Sequence, residues 1–207
     1  MNSYDSNDIT CKVVLVGESG VGKTSIIKRY VKDEFSDIME ANINSSCFTK
    51  TLEIKKYNKS ITFDIWDTAG QEKYRSIANH FFINTSIAIL VYDITERESF
   101  NCIKNFWCSK VKESVGENIV FCIAANKCEL YQDEEVSSEE GEKYAKSIGA
   151  IFQLTSCSEN IGITQMFEKC GCKYLEKNNL INENKNGSIK IDKENKNNIG
   201  KKMKKLC

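Results

Sequence analysis

Apolar positions along the chain follow two rhythms. Short runs rich in β-branched residues, at 11–16, 87–92, 119–125 and 151–154, have the continuous apolar character of central parallel strands. Between them, residues 23–32, 97–115, 137–147 and 162–176 space their apolar side chains as helices do. Residues 48–54 and 61–66 alternate apolar and polar about a turn at Asn58-Lys59, which predicts an antiparallel hairpin. Ser137 followed by Glu140 predicts a capping box at the third helix. Strand, helix, hairpin and then repeated strand–helix units predict an α/β fold: a mostly parallel sheet with helices on both faces. Residues 1–9 are polar, and from Asn178 onward Asn, Lys and Glu dominate without periodicity. The expected organisation is a flexible start at 1–9, one domain at 10–176 and a disordered tail at 177–207.

The 207 residues, 41% hydrophobic and 28% charged, suffice for one domain with a sizeable core. Basic and acidic residues balance at 29 each, which argues against a nucleic-acid partner, but the balance is uneven along the chain. Residues 176–207 hold nine Lys against four acids, so an acidic body carries a basic tail. No apolar run approaches the ~18 residues of a membrane span, and the opening Met1-Asn2-Ser3-Tyr4-Asp5 resembles neither a secretory signal nor a myristoylation site. The ten Cys are scattered and form no C-x-x-C pair, so reduced thiols in a cytosolic protein are expected.

Gly17-Glu18-Ser19-Gly20-Val21-Gly22-Lys23-Thr24 fits G-x-x-x-x-G-K-[ST] between a predicted strand and a predicted helix. The glycines let the backbone curl until successive N–H groups face phosphate oxygens, and the helix adds the positive end of its dipole. Lys23 brings a point charge to the β- and γ-phosphates, and the Thr24 hydroxyl is a natural Mg²⁺ ligand. These residues predict a nucleoside-triphosphate site. A second element closes another predicted strand: Asp64-Ile65-Trp66-Asp67-Thr68-Ala69-Gly70-Gln71-Glu72. An acid at a strand end can hold Mg²⁺ opposite Thr24, a glycine beyond it can meet the γ-phosphate, and a neighbouring amide can orient water.

The stretch 66–77, followed by Leu90-Val91-Tyr92-Asp93-Ile94-Thr95 with Ser99-Phe100, resembles the Rab branch of the Ras-like small GTPases, and the resemblance spans about residues 11–175. A P-loop kinase is the rival; it normally brings several arginines, and this chain has only Arg29, Arg75 and Arg97. The resemblance implies a Ras-like P-loop fold: six strands, mostly parallel, with one antiparallel edge strand. It implies GTP/GDP and Mg²⁺ as ligands. Ser19, Gly20, Val21, Gly22, Lys23, Thr24 and Ser25 would bind phosphates, and Thr24, Asp67 and Asn42 the metal. Gly70 would sense the γ-phosphate, and Gln71, with Lys23, would make the catalytic pair. Residues 35–48 and 67–82 would be two switches ordered by the γ-phosphate. The implied base-recognition residues are Asn126, Lys127 and Glu129, with Ser156, Cys157 and Ser158.

Departures from the Rab pattern bear on each of these. The first switch reads Asn42-Ile43-Asn44-Ser45-Ser46-Cys47 where the family has T-I-G-V-D-F, so Asn42 replaces a metal-binding Thr and Cys47 an effector-facing aromatic, leaving Trp66 and Phe81. The base motif N-K-x-D ends in Glu129, one methylene longer than Asp. A carboxylate there meets the two parallel donors of guanine, and poorer geometry is expected to cost about 1–3 kcal/mol. The S-A-K element reads Ser156-Cys157-Ser158: the middle N–H can still meet the guanine oxygen, while Ser158 lacks the lysine's packing. Residues 45–51 loosely resemble the early-endosomal Rab subgroup.

Four lysines, Lys201, Lys202, Lys204 and Lys205, precede the terminal Cys207. C-a-a-X would need Cys at position 204, so prenylation at Cys207 by the Rab-type route is expected, with the basic stretch adding affinity for anionic membrane. The expected function is a monomeric, slowly hydrolysing GTPase switch in vesicle trafficking, on the cytosolic face of endomembranes. Its expected partners are an exchange factor, an activating protein, an escort or GDP-dissociation-inhibitor protein, and effectors. The alternative is a degenerate Rab-like module without cycling. His80 and the glutamates at 134, 135, 139, 140 and 142 are expected to be surface residues rather than catalytic or metal-binding, while Cys128 and Cys157 offer an oxidation-sensitive edge to the base site.

Overall fold

In the computed structural model, residues 9–35, 46–67, 82–116 and 118–181 are described. Asn42, Gly70, Gln71, His80, Phe81 and Cys207, and with them most of both expected switches and the basic end, lie outside those residues. The chain runs β1 (Ile9–Val16), α1 (Lys23–Lys32), β2 (Ser46–Ile54), β3 (Lys59–Asp67) and β4 (Thr85–Asp93). The helical stretch α2 follows, with α turns over Arg97–Cys102, a π segment over Ile103–Trp107 and α turns over Cys108–Val115. Then come β5 (Val120–Asn126), a 3₁₀ segment (Cys128–Asp133), α3 (Ser138–Ser147), β6 (Ile151–Leu154) and α4 (Ile163–Lys177).

The six strands lie in the order β2-β3-β1-β4-β5-β6, parallel except for the antiparallel β2–β3 pair. Period-two alternation sorts the central strands between two cores. Val13, Leu15, Ile87, Ile89 and Val91 pack on the face with Ile26, Phe167 and Met166, while Val14, Val16, Ala88, Leu90 and Tyr92 pack with Phe100, Ile103 and Trp107 on the other. Both faces of the sheet are therefore covered, which explains the continuous apolar runs. Successive connections leave β1 toward β3 on one side and β4 on the other. The carboxyl end of β1 is thus a topological switch point, where such sheets open a crevice.

The structure departs from expectation at two local points. The Ser137 hydroxyl accepts from the Glu140 N–H (3.2 Å), but the Glu140 carboxylate goes to Arg97 instead of closing a reciprocal box (2.6 and 2.7 Å). The 97–115 helix contains the π segment, which the 3.6-residue pattern does not announce. After α4, Leu180 and Ile181 pack half-buried against the core, with Leu180 N–H donating to Leu175 O (2.9 Å).

Candidate nucleotide site

Gly22 ends the phosphate loop and opens α1. Its backbone is left-handed (φ 95°), and a Cβ there would lie 2.3 Å from Asn126 Nδ2, so both conformation and space favour glycine. No side chain caps α1 and no acid sits in its first turn, leaving its first N–H groups and its dipole facing the loop. Ser19 and Gly20 are exposed at the loop tip; Val21, Lys23 and Thr24 are buried, and Ser25 is half-buried. The Lys23 ammonium turns back on the loop, donating to Gly17 O (2.8 Å) and Glu18 O (2.6 Å). The Thr24 hydroxyl donates to Asp67 Oδ2 (2.7 Å), joining the start of α1 to the end of β3, both partners being buried.

The end of β5 supplies the other half. Asn126, 2% exposed, donates from Nδ2 to Val21 O (2.8 Å), and its Oδ1 accepts from the Thr155 hydroxyl (3.0 Å) and the Cys157 thiol (3.7 Å). One amide therefore pins the phosphate loop to the 155–158 loop. Lys127 is left-handed (φ 62°), and its ammonium pairs with the buried carboxylate of Asp93 (2.5 Å). Thr95 adds its N–H and hydroxyl to Asp93 Oδ1 (2.9 and 2.7 Å). Ser158 donates to Glu129 Oε1 (2.8 Å), and Glu129 Oε2 is buried without a hydrogen-bond partner. Ser156, fully buried, takes the Glu159 N–H on its hydroxyl (3.0 Å) and pairs its own backbone with Ile161.

These features fit a guanine nucleoside triphosphate with its cation. The loop offers uncapped donors and an ammonium that donates to the loop carbonyls of Gly17 and Glu18. Thr24 and Asp67 offer hard oxygens to a divalent ion. The orphaned Glu129 oxygen suits a base N–H donor, since a buried acceptor left without a partner is costly. Among the described residues no cluster of His, Cys, Asp or Glu forms a separate metal site, and Glu135 and Glu140 are engaged by Arg97.

Burial pushes the Cys157 thiol up to about 12 and the Cys128 thiol up to about 11, which argues against their ready oxidation, because the reactive form is the thiolate. Three residues escaped the sequence reading. Asp93 anchors Lys127, and a buried acid at a strand end was the available signal. Trp107, in the π segment, donates Nε1–H to Glu18 Oε1 (3.1 Å) and so ties α2 to the phosphate loop; nothing local announces it. Arg29 reaches the 155–158 loop across 128 positions of sequence.

A glycine loop between β1 and α1, a buried Thr–Asp pair and, just beyond β5, a carboxylate with one buried unpartnered oxygen fit a P-loop GTPase of Ras-like fold. The chain matches the Ras family over residues 12–176. It is similar to Ras-related protein Rab-31 of Homo sapiens, 41% identical over 182 residues that cover 88% of this chain and 91% of that protein. It is also similar to Ras-related protein Rab-22A of Homo sapiens (42% over 156 residues; 75% and 79% covered) and Ras-related protein Rab-21 of Bos taurus (38% over 177 residues; 86% and 78% covered). The chain belongs to the Ras family, in its Rab branch. It is accordingly a small GTPase that binds GTP or GDP with Mg²⁺, hydrolyses GTP and serves as a switch in vesicle traffic, and the kinase rival falls away. Regulators and effectors are the partners of such proteins. Among the described residues no helix is long and apolar enough to cross a membrane.

Proposed function

We propose that the chain is an early-endosomal type of Rab switch, a slow intrinsic GTPase that recruits effectors to the cytosolic face of an endomembrane while GTP is bound. The observation that carries this reading is the convergence of three strand ends. β1 delivers Lys23 and Thr24 through its loop, β3 delivers Asp67, and β5 delivers Asn126, Lys127 and Glu129. The subgroup rests on the Rab-31, Rab-22A and Rab-21 relatives together with residues 45–51.

In this reading the N–H groups of Ser19 to Ser25 and the Lys23 ammonium hold the phosphates. Lys23 exchanges the carbonyls of Gly17 and Glu18 for phosphate oxygens. Thr24 and Asp67, with Asn42, hold Mg²⁺, which when bound offsets phosphate charge. Gly70 meets the γ-phosphate and Gln71 orients the attacking water. Glu129 accepts from the base, and Cys157 N–H donates to its carbonyl oxygen. Because no side chain attacks the phosphorus, positioning and electrostatics supply the rate, and a partner arginine would add about 10³–10⁵-fold. Residues 10–176 form the switch body. Residues 177–207 carry the lysines and a prenylated Cys207 to the membrane, where each lysine adds about 1 kcal/mol. An exchange factor, an activating protein, an escort or GDP-dissociation-inhibitor protein and effectors then act on the body.

The test is single-turnover hydrolysis of bound GTP by the full chain beside Gln71→Leu. Expected are a slow rate, on the order of 10⁻⁴ s⁻¹, and its loss in the variant. A wild-type chain that retains GTP unchanged for days overturns the switch in favour of a locked binding module.

A further inference from the structure

Two segments far apart in sequence, 29–35 and the loop at 157, meet at one guanidinium. Arg29, on α1, donates Nε–H to Cys157 O (2.9 Å) and Nη1–H to both Asp33 O (3.1 Å) and Asp33 Oδ1 (3.2 Å). Its Cζ lies 5.6 Å from the centre of the Phe35 ring. Only 14% of the side chain is exposed, whereas Asp33 is 76% exposed, so the ion pair itself contributes little. Asp33 is itself fixed, being left-handed (φ 58°) at the end of α1. Its N–H donates to Arg29 O (3.1 Å), and Asn160 Nδ2 donates to its carboxylate (3.1 Å).

The least exposed of these contacts is the one to Cys157. Holding that carbonyl fixes the peptide plane between Cys157 and Ser158. On one side of that plane is the residue whose N–H faces the base oxygen; on the other is Ser158, whose hydroxyl holds Glu129. The same guanidinium faces Phe35, a 38% exposed aromatic on the segment just after α1. We propose that Arg29 is a positioning residue for base recognition: through Cys157 O it fixes the loop that carries the Cys157 N–H and the Ser158–Glu129 contact. This rests on reading 126–129 and 156–158 as the base-recognition segments. A lysine could carry the charge but neither the fork to two acceptors nor the planar face toward the ring.

The experiment measures release of fluorescent GDP and IDP from the full chain and from Arg29→Met, Arg29→Lys and Glu129→Ala. IDP lacks the 2-amino donor, so the ratio of the two release rates reports the Glu129 contact. Arg29→Met is expected to speed GDP release about tenfold and to compress the GDP/IDP ratio, with Arg29→Lys between it and wild type. An unchanged ratio in both Arg29 variants, whatever their release rates or melting temperatures, overturns the proposal. If Glu129→Ala compresses the ratio and the Arg29 variants do not, only the Arg29 role is lost. If Glu129→Ala leaves it unchanged too, the base reading itself has failed.

Discussion

Ser158 donates its hydroxyl hydrogen to Glu129 Oε1 at 2.8 Å and leaves Glu129 Oε2 buried and unpartnered. Two departures from the family pattern therefore meet each other. The carboxylate is one methylene too long, and the residue in place of lysine is short and hydroxylated, so it can anchor one oxygen while the other faces inward. Ser158→Ala is expected to weaken GDP binding about three- to tenfold, the worth of one partly exposed hydrogen bond to a carboxylate. Glu129→Asp draws the carboxylate back out of reach of Ser158, so in that background Ser158→Ala should cost nothing more. Calorimetric GDP affinities for the four members of this cycle check it; additive effects would mean that the contact carries no binding energy.

The two inner glycines of the phosphate loop should respond differently to a methyl group. Gly20 has a left-handed backbone (φ 81°) and open space around it, so Gly20→Ala meets only conformational strain of about 1 kcal/mol. Gly22→Ala adds a methyl 2.3 Å from Asn126 Nδ2 and must displace the amide that holds Val21 O. Its expected cost is about 2–3 kcal/mol, or roughly 5–10 °C in melting temperature against roughly 2–4 °C for Gly20→Ala. Thermal melts of the two variants side by side decide it, and equal shifts would contradict the role given to Asn126.

Much of this was legible because it is local. Helix α1 occupies the residues its pattern marks out, and the β2–β3 hairpin turns at Asn58, left-handed as a turn asparagine can be (φ 49°). The phosphate loop and Asp67 declare themselves by spacing, and Thr24 does meet Asp67. What escaped depends on residues that only the folded chain brings together. Nothing in the helical period of 97–115 marks the π segment that carries Trp107 to Glu18. The Glu140 carboxylate was free to close a capping box until Arg97, 43 positions away, took it. Ser158 read as a lost lysine because its partner is 29 positions upstream.

The thiols of Cys128 and Cys157, beside the proposed base site, should resist chemistry at neutral pH. Burial is the main cause of the upward shifts of Cys157, to about 12, and Cys128, to about 11. A raised thiol favours the neutral form in the folded state, so its contribution to stability is complete below the unfolded value near 8.5 and disappears as pH rises through about 11–12. At pH 7.5 iodoacetamide should label exposed Cys47 in the native protein and leave Cys128 and Cys157 untouched until denaturant is added. Peptide mass mapping shows this directly, and native labelling of Cys157 would mean that the loop opens far more often than its contacts suggest.

The Thr24–Asp67 contact carries the most direct test of the metal reading. Asp67 is a 2% exposed carboxylate at the end of β3, and its Oδ2 already accepts from Thr24. Asp67→Asn can keep an oxygen for that hydroxyl while removing the charge, so it isolates electrostatics from packing. If the pair holds Mg²⁺, EDTA should speed GDP release from the wild-type chain by tenfold or more. Asp67→Asn should release GDP quickly at the outset and gain little from EDTA, since losing a partner of the ion typically costs 10–100-fold in metal affinity. An EDTA response of undiminished size in Asp67→Asn would place the cation elsewhere.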